Sequence, residues 1–231
     1  MEKESIATRG RGYNESNQYI CRAKEEKLDC GNIKLAINKY TYEPSEDSYL
    51  LAKTIEDVIK DFSKDLKIFV EIGSGSGYVS IYAFINVFKE KYPYGILIDI
   101  SPCAILSSWS SVKINKIDMY IDVVQCHSAK CLRNTITSLV FFNPPYLPVE
   151  DYDIIGIAWS GGRDGIEAWK EFFNDALRIC LKKLCIIIFI FSTTQNIIEI
   201  LNKVLDICDY IEIYYCNEFF YETLCSTLVR C

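Results

Sequence analysis

Strand-like and helix-like segments alternate along this chain, and the alternation predicts an α/β fold: a mostly parallel sheet with helices on both faces. Three observations carry that prediction. An apolar run at residues 67–70 enters a glycine-rich turn, Glu71-Ile72-Gly73-Ser74-Gly75-Ser76-Gly77, and a helical pattern begins near Tyr78. A second apolar run, 95–98, ends at Asp99, which lies 22 residues past Gly77. A further run, 138–142, ends in Asn143-Pro144-Pro145-Tyr146.

The elements follow in chain order. Residues 1–18 are polar and charged and predict a disordered tail ahead of a single domain over 19–231. Within that domain, 19–41 is an N-terminal extension whose pattern fits a helix or a hairpin. Residues 45–62 read as an amphipathic helix. Leu50, Leu51, Ile55, Val58, Ile59 and Phe62 share one face, while Glu46, Asp47, Glu56, Asp57 and Lys60 lie largely elsewhere. Pro44-Ser45 supplies its start. Pro102 opens a helix to about residue 115, and strands follow at 121–126 and 138–142. A helix over 165–181, a fully buried strand over 184–191 and a helix over 194–205 come next. Residues 210–215 and 222–229 form a terminal strand pair that adds an antiparallel edge. There is no internal repeat and no linker to a second domain.

The motifs at the strand ends carry chemistry. Glycines let the backbone turn tightly and approach a ligand closely. Asp99 stands where an acid at the end of the second strand hydrogen-bonds ribose hydroxyls, although it could instead cap the next helix. A dinucleotide loop usually places its last glycine one residue later. The shorter loop, with Glu71 ahead of it, fits S-adenosylmethionine, which has no pyrophosphate to cradle. Asn143 offers a side-chain carbonyl that can accept one N–H of a planar amino group. Proline donates no hydrogen bond and holds φ, so the carbonyl before it is fixed and free to accept. The Tyr146 ring can stack on a flat amide or base.

Composition narrows the class. The chain has 231 residues, 50% of them hydrophobic, enough for one sizeable core. No apolar run approaches the roughly 18 residues of a membrane span, and no N-terminal apolar segment reads as a secretory signal. The net charge of −6 disfavours a large nucleic-acid footprint. Eleven cysteines are scattered without a C-x-x-C pair, which argues against a zinc site and predicts reduced thiols buried as small hydrophobes.

Residues 71–77, Asp99 and 143–146 together resemble class I S-adenosylmethionine-dependent methyltransferases that act on planar amino groups. Tyr42-Glu43-Pro44-Ser45-Glu46-Asp47-Ser48-Tyr49-Leu50-Leu51 and Ala158-Trp159-Ser160-Gly161-Gly162-Arg163-Asp164-Gly165 resemble the eukaryotic HemK-like branch, the release-factor glutamine N5-methyltransferases. The similarity runs from about residue 42 to the C-terminus. It implies a Rossmann-like, mostly parallel seven-stranded sheet with an antiparallel terminal strand. It implies S-adenosylmethionine as cofactor, held by Ser48, Glu71, Gly73, Gly75, Gly77, Asp99, His127 and Asn143, and catalysis by Asn143, Pro144, Pro145 and Tyr146 without a metal. His127 stands where the family often has an acid that meets the adenine amino group; it can accept through one ring nitrogen, with Ser128 beside it, or be a partly exposed strand-end residue. Glu71 could equally cap the helix that follows it, and Ser48 could be a plain surface serine. The implied substrate is the glutamine of the Gly-Gly-Gln motif in a class-one peptide release factor, in the cytoplasm or also the nucleus. The implied partner is a small zinc-binding activator, gained along an open edge at residues 117–124. Loop 159–165 would border the substrate entrance, with Arg163 binding substrate or forming a structural ion pair. Adenine-N6 methylation of DNA or RNA, lysine methylation and a non-enzymatic binding role are the alternatives the sequence leaves open.

Overall fold

In the computed structural model, the described residues are Cys21, 25–62, 66–88, 92–150, 156–180 and 185–231. The tail expected at 1–18 lies outside them. The N-terminal extension forms a hairpin, β1 (Glu25–Cys30) and β2 (Ile33–Asn38), rather than a helix over those residues. Helix α1 (Glu46–Phe62) follows, then β3 (Ile68–Ile72) and α2 (Tyr78–Tyr82), which runs on into one π-helical turn, Ala83–Val87. Next come β4 (Tyr94–Asp99), α3 (Pro102–Ile114), β5 (Ile121–Gln125) and β6 (Leu139–Phe142). Helix α4 (Glu167–Ile179), β7 (Ile186–Ser192), α5 (Ile197–Leu205), β8 (Tyr210–Glu218) and β9 (Thr223–Arg230) complete the chain.

Seven strands make one sheet in the order β5-β4-β3-β6-β7-β9-β8. The first five are parallel, and β9, the last strand in the chain, runs antiparallel between β7 and β8. This is the seven-stranded Rossmann-like sheet that the sequence predicts. Its central strands are apolar on both sides because both faces are covered. In β3 and β6, Phe69, Leu139 and Phe141 pack towards α1 and α2, while Val70, Ile72, Val140 and Phe142 pack towards α4 and α5. The two-residue period of a strand sorts them to opposite cores.

The hairpin is held in an unusual way. Along α3, Ser107, Ser111 and Asn115 recur every four residues and so share one face. The Ser111 and Ser107 hydroxyls accept the Ala36 and Asn38 N–H groups at 3.0 and 2.9 Å, and the Asn115 side chain pairs with Lys34. A helix face thus takes hydrogen bonds that a strand would otherwise receive. The chain leaves β2 beside the carboxyl ends of β3 and β4, where the cavity lies.

Two sequence expectations are corrected. The edge segment expected at 117–124 becomes a strand only from Ile121; residues 118–120 form a turn after α3. Ten of the eleven cysteines are paired rather than reduced: Cys21–Cys103, Cys126–Cys131, Cys180–Cys185, Cys208–Cys231 and Cys216–Cys225, leaving Cys30. The fold brings their Cα atoms to between 4.1 and 6.1 Å, a proximity that spacing alone does not reveal. Several are also buried, as small apolar side chains are expected to be.

Candidate active site

The carboxyl ends of β3, β4 and β6 open onto a cavity of about 970 Å³. Its floor is the glycine-rich turn. Gly73, Gly75 and Gly77 all have positive φ, at 75°, 54° and 80°, where a side chain would strain the backbone. A Cβ on Gly73 would also meet the Phe172 ring at 3.0 Å. The Gly73 and Ser74 N–H groups both donate to the Ile98 carbonyl, and the Ser108 hydroxyl donates to the Gly75 carbonyl at 2.8 Å. The turn is therefore clamped between β4 and α3.

Asp99 is oriented by the same turn. Its two carboxylate oxygens accept from the Gly75 N–H at 2.9 Å and the Ser101 N–H at 2.8 Å. Burial raises its pKa, against the lowering effect of those bonds. It does not cap α3; the Ser101 side chain does, accepting from Ala104. A carboxylate has about four acceptor positions, so two bonds leave capacity for ribose hydroxyls.

Glu71 has the capping role that the sequence left open. The residue is 3% exposed, and it accepts from the Ser80 N–H at 3.2 Å and from the Ser80 hydroxyl. Gly77, the N-cap of α2, brings no side chain of its own. Burial pushes the Glu71 pKa up to about 8, while the bonds from Ser80 lower it. Glu71 still lines the cavity, so capping and ligand contact are compatible.

The opposite wall is Asn143, Pro144, Pro145 and Tyr146. Asn143 Oδ1 is buried and has no hydrogen-bond partner. Leaving a buried acceptor unpaired costs roughly 1–3 kcal/mol, so such an atom marks a place where a ligand donor completes the bond. Tyr146 is reached by two carboxylates that sequence reasoning did not single out. Burial, then Asp47, then Glu222 raise its hydroxyl pKa well above the phenol range. The Tyr42 hydroxyl donates to both Asp47 oxygens, at 3.2 and 3.0 Å, and burial with Asp47 raises its pKa likewise. Asp47, itself buried, is thus held between two neutral phenols. Ser48 is buried at the cavity rather than on the surface, with its N–H and hydroxyl on Asp47.

His127 lines the cavity but is committed outward. Its side chain is 45% exposed, and Nδ1 lies 3.1 Å from the Glu171 carboxylate and 3.2 Å from Lys130 Nζ. The neighbouring Ser128 is the buried group there; its hydroxyl has no partner, and its backbone is held at φ 52°. The loop at 159–165 buttresses the segment that follows Asn143–Tyr146. The Leu147 N–H donates to the Trp159 carbonyl at 3.0 Å, and the Gly161 N–H donates to the Leu147 carbonyl at 2.8 Å. Trp159 and Ser160 line the cavity, whereas Arg163 is exposed and makes no ion pair among the described residues.

Sequence reasoning also missed Ala168, Glu171 and Phe172, which line the cavity from one face of α4. Their i, i+3, i+4 spacing was a legible signal for a shared face. The two unpaired atoms, Asn143 Oδ1 and Ser128 Oγ, with Asp99 and the open turn, suit S-adenosylmethionine and a planar amide placed side by side. Among the described residues no cluster of His, Cys, Asp or Glu could hold a metal, and no helix is long and apolar enough to cross a membrane.

No protein-family model matches the chain. It is 31% identical over 183 residues to a Methanocaldococcus jannaschii protein provisionally described as a protein N5-glutamine methyltransferase, covering 76% of this chain and 84% of that protein. It is 34% identical over 139 residues to the Homo sapiens methyltransferase HEMK2, covering 57% of this chain and 63% of HEMK2. Among solved structures, the E. cuniculi Mtq2–Trm112 complex responsible for methylating the eRF1 termination factor superposes with a TM-score of 0.57 at 18% identity, over 83% of this chain and 98% of that one. The N-terminal domain of human METTL16 in complex with SAH superposes at 0.59 and 14% identity, over 85% and 75%. At these identities the superpositions speak to the fold.

Proposed function

We propose that this chain, which belongs to the HemK-like family of protein N5-glutamine methyltransferases, methylates the side-chain amide of the glutamine in the Gly-Gly-Gln loop of a class-one peptide release factor. The enzyme uses S-adenosylmethionine, which supplies a methyl group made electrophilic by its sulfonium. The observation that carries the acceptor is Asn143 in the cavity wall, with its buried Oδ1 left without a partner. A primary amide nitrogen is a poor nucleophile, because its lone pair is delocalised into the carbonyl. The residues must therefore position it and polarise its N–H bonds. Asn143 Oδ1 accepts one N–H and the Pro144 carbonyl the other. Pro145 keeps the turn stiff, and Tyr146 packs against the flat amide. Ser48, Glu71, Gly73, Gly75, Gly77 and Asp99 hold the cofactor, and Ser128 takes the adenine-side contact for which His127 is the sequence candidate.

The relatives' named substrates support a protein acceptor. So does the acidic character beside Tyr146, where Asp47 and Glu222 would oppose phosphate. A cytoplasmic location, with the nucleus also open to it, goes with that substrate. We place a small zinc-binding activator on the outer edge of β5, which among the described residues pairs only with β4. Open strand edges invite such an added strand.

The test is transfer of labelled methyl to folded release factor and to its Gln→Ala and Gln→Asn loop variants. Only the unaltered loop should be labelled. Asn is shorter by one methylene, and a misplacement of about 1 Å can cost 10²-fold. Equal labelling of the Gln→Ala variant would remove this acceptor.

A further inference from the structure

The turn between β8 and β9 exposes apolar surface that the fold does not use. Phe220 and Tyr221 are 90% and 87% exposed, and Phe219 beside them is also exposed. The two outer rings meet edge to face with centroids 4.7 Å apart. Burying an aromatic side chain is worth roughly 1.5–3 kcal/mol, so adjacent rings left in water at a turn mark a contact surface.

The turn is held, and it is held at the cavity. The Phe219 N–H donates to the Glu222 carbonyl at 2.8 Å and closes it. The Ser192 hydroxyl, at the end of β7, donates to the Glu222 carboxylate at 2.5 Å. The Thr193 N–H donates to the Thr223 carbonyl at 3.0 Å, and the Thr223 N–H donates to the Thr193 hydroxyl at 2.8 Å. Glu222 also lines the cavity and acts on Tyr146. The residue next to Tyr221 therefore belongs to the wall of the cavity, and the aromatic tip adjoins that wall through Glu222.

Charge selects the occupant. The carboxylates flanking the tip are Glu218 and Glu222; Asp206, Asp209 and Glu212 lie at the far end of β8, where Tyr210 pairs with Arg230, and no Lys, Arg or His lies between Lys203 and Arg230. Bases could stack on these rings. Phosphates, whether of nucleic acid or of an anionic bilayer, would meet uncompensated carboxylates. We propose that Phe219, Phe220 and Tyr221 dock the folded acceptor protein, against an apolar patch bordered by lysine or arginine next to its acceptor loop. The inference rests on the reading that the acceptor is a release factor. Aromatic residues commonly dominate protein-interface energy, and here they hold the acceptor protein beside the cavity in both ground and transition states.

The experiment is steady-state methyl transfer to folded release factor by the chain expressed with its partner subunit. Phe220→Ala combined with Tyr221→Ala should raise KM about tenfold or more, as the loss of interface anchors does. A docking loss should leave kcat within about twofold, because it removes binding common to ground and transition states. Affinity for S-adenosylmethionine and the unfolding midpoint should not move. Glu218→Lys should raise KM as well, by placing a cation against the partner's basic border. An unchanged KM in the aromatic variant, or a fall confined to kcat, overturns the docking surface. So does loss of binding to RNA or phospholipid vesicles with KM untouched. If the unaltered enzyme fails to label release factor, the proposed acceptor falls, and this inference with it.

Discussion

At the scale of single residues, the site is built from groups whose partners are set by the backbone around them. Asp99 is aimed by two N–H groups, and Asp47 is shared between Tyr42 and Ser48. Glu71 gives a measurable consequence. Burial favours its neutral form, with a folded pKa of about 8 against 4.5 for the ordinary group. Because the folded value is raised, its contribution to stability is fully present below the unfolded pKa and is lost as pH rises through the folded one. Without ligand, the protein should therefore lose stability between about pH 4.5 and 8, and Glu71→Gln should flatten that slope. Denaturant unfolding across the range reads this directly; equal slopes in both proteins would contradict it. The capping half of the role was open in the sequence because a strand-end acid can reach forward into the next helix or out to a ligand. The burial and the Ser80 contact decide it. Asp47 was hidden for a related reason: its helix pattern placed it away from the apolar face, and nothing in sequence marks a carboxylate that lies between the nearby Tyr42 and the distant Tyr146.

At the scale of elements, the βα turns were the most legible parts. Gly73, Gly75, Gly77 and Asp99 stand where strand–turn–helix spacing predicts, and strand boundaries fall within a few residues of the apolar runs. The α3 serines were not legible, because a polar stripe at four-residue spacing reads as a solvent face until β2 is seen to bond to it. The buttress loop behind Tyr146 was legible as a motif but not as a mechanism. A Cβ on Gly165, which has φ 70°, would lie 2.6 Å from the Tyr146 carbonyl oxygen. By contrast, Gly31, at φ 68°, has nothing within 4 Å. Gly31→Ala should cost only the roughly 1–2 kcal/mol of left-handed backbone. Gly165→Ala should cost more and displace the turn that carries Tyr146. Paired melting and turnover measurements check this: comparable losses at both glycines would show that loop 159–165 does not hold Tyr146 in place.

At the scale of the whole molecule, the sheet presents its ligand-binding ends on one side and an open edge at β5. Beside that edge Met119 is 84% exposed, with Tyr92, Tyr94 and Tyr120 also exposed, a larger apolar surface than the sequence segment suggested. Met119→Lys with Tyr120→Ser should abolish co-purification of the activator subunit while leaving the fold intact. Retention of a stoichiometric complex by size-exclusion chromatography would move the partner elsewhere. The disulfides belong to this scale too. Cys21–Cys103 ties the N-terminal extension to α3, and Cys126–Cys131 closes the segment around His127. Scattered cysteines disclose such pairs only after the chain has folded. Everything converges on one acceptor atom, and the most direct measurement is there. Release factor treated with unaltered enzyme and with Asn143→Ala should be compared for rate and, by mass spectrometry, for the modified atom, with calorimetric titration of S-adenosylmethionine alongside. The account predicts methyl on the glutamine side-chain nitrogen, a rate lowered on the order of 10²–10³-fold by the substitution, and nearly unchanged cofactor affinity. Near-normal turnover by Asn143→Ala, or methyl on any other atom, would contradict it.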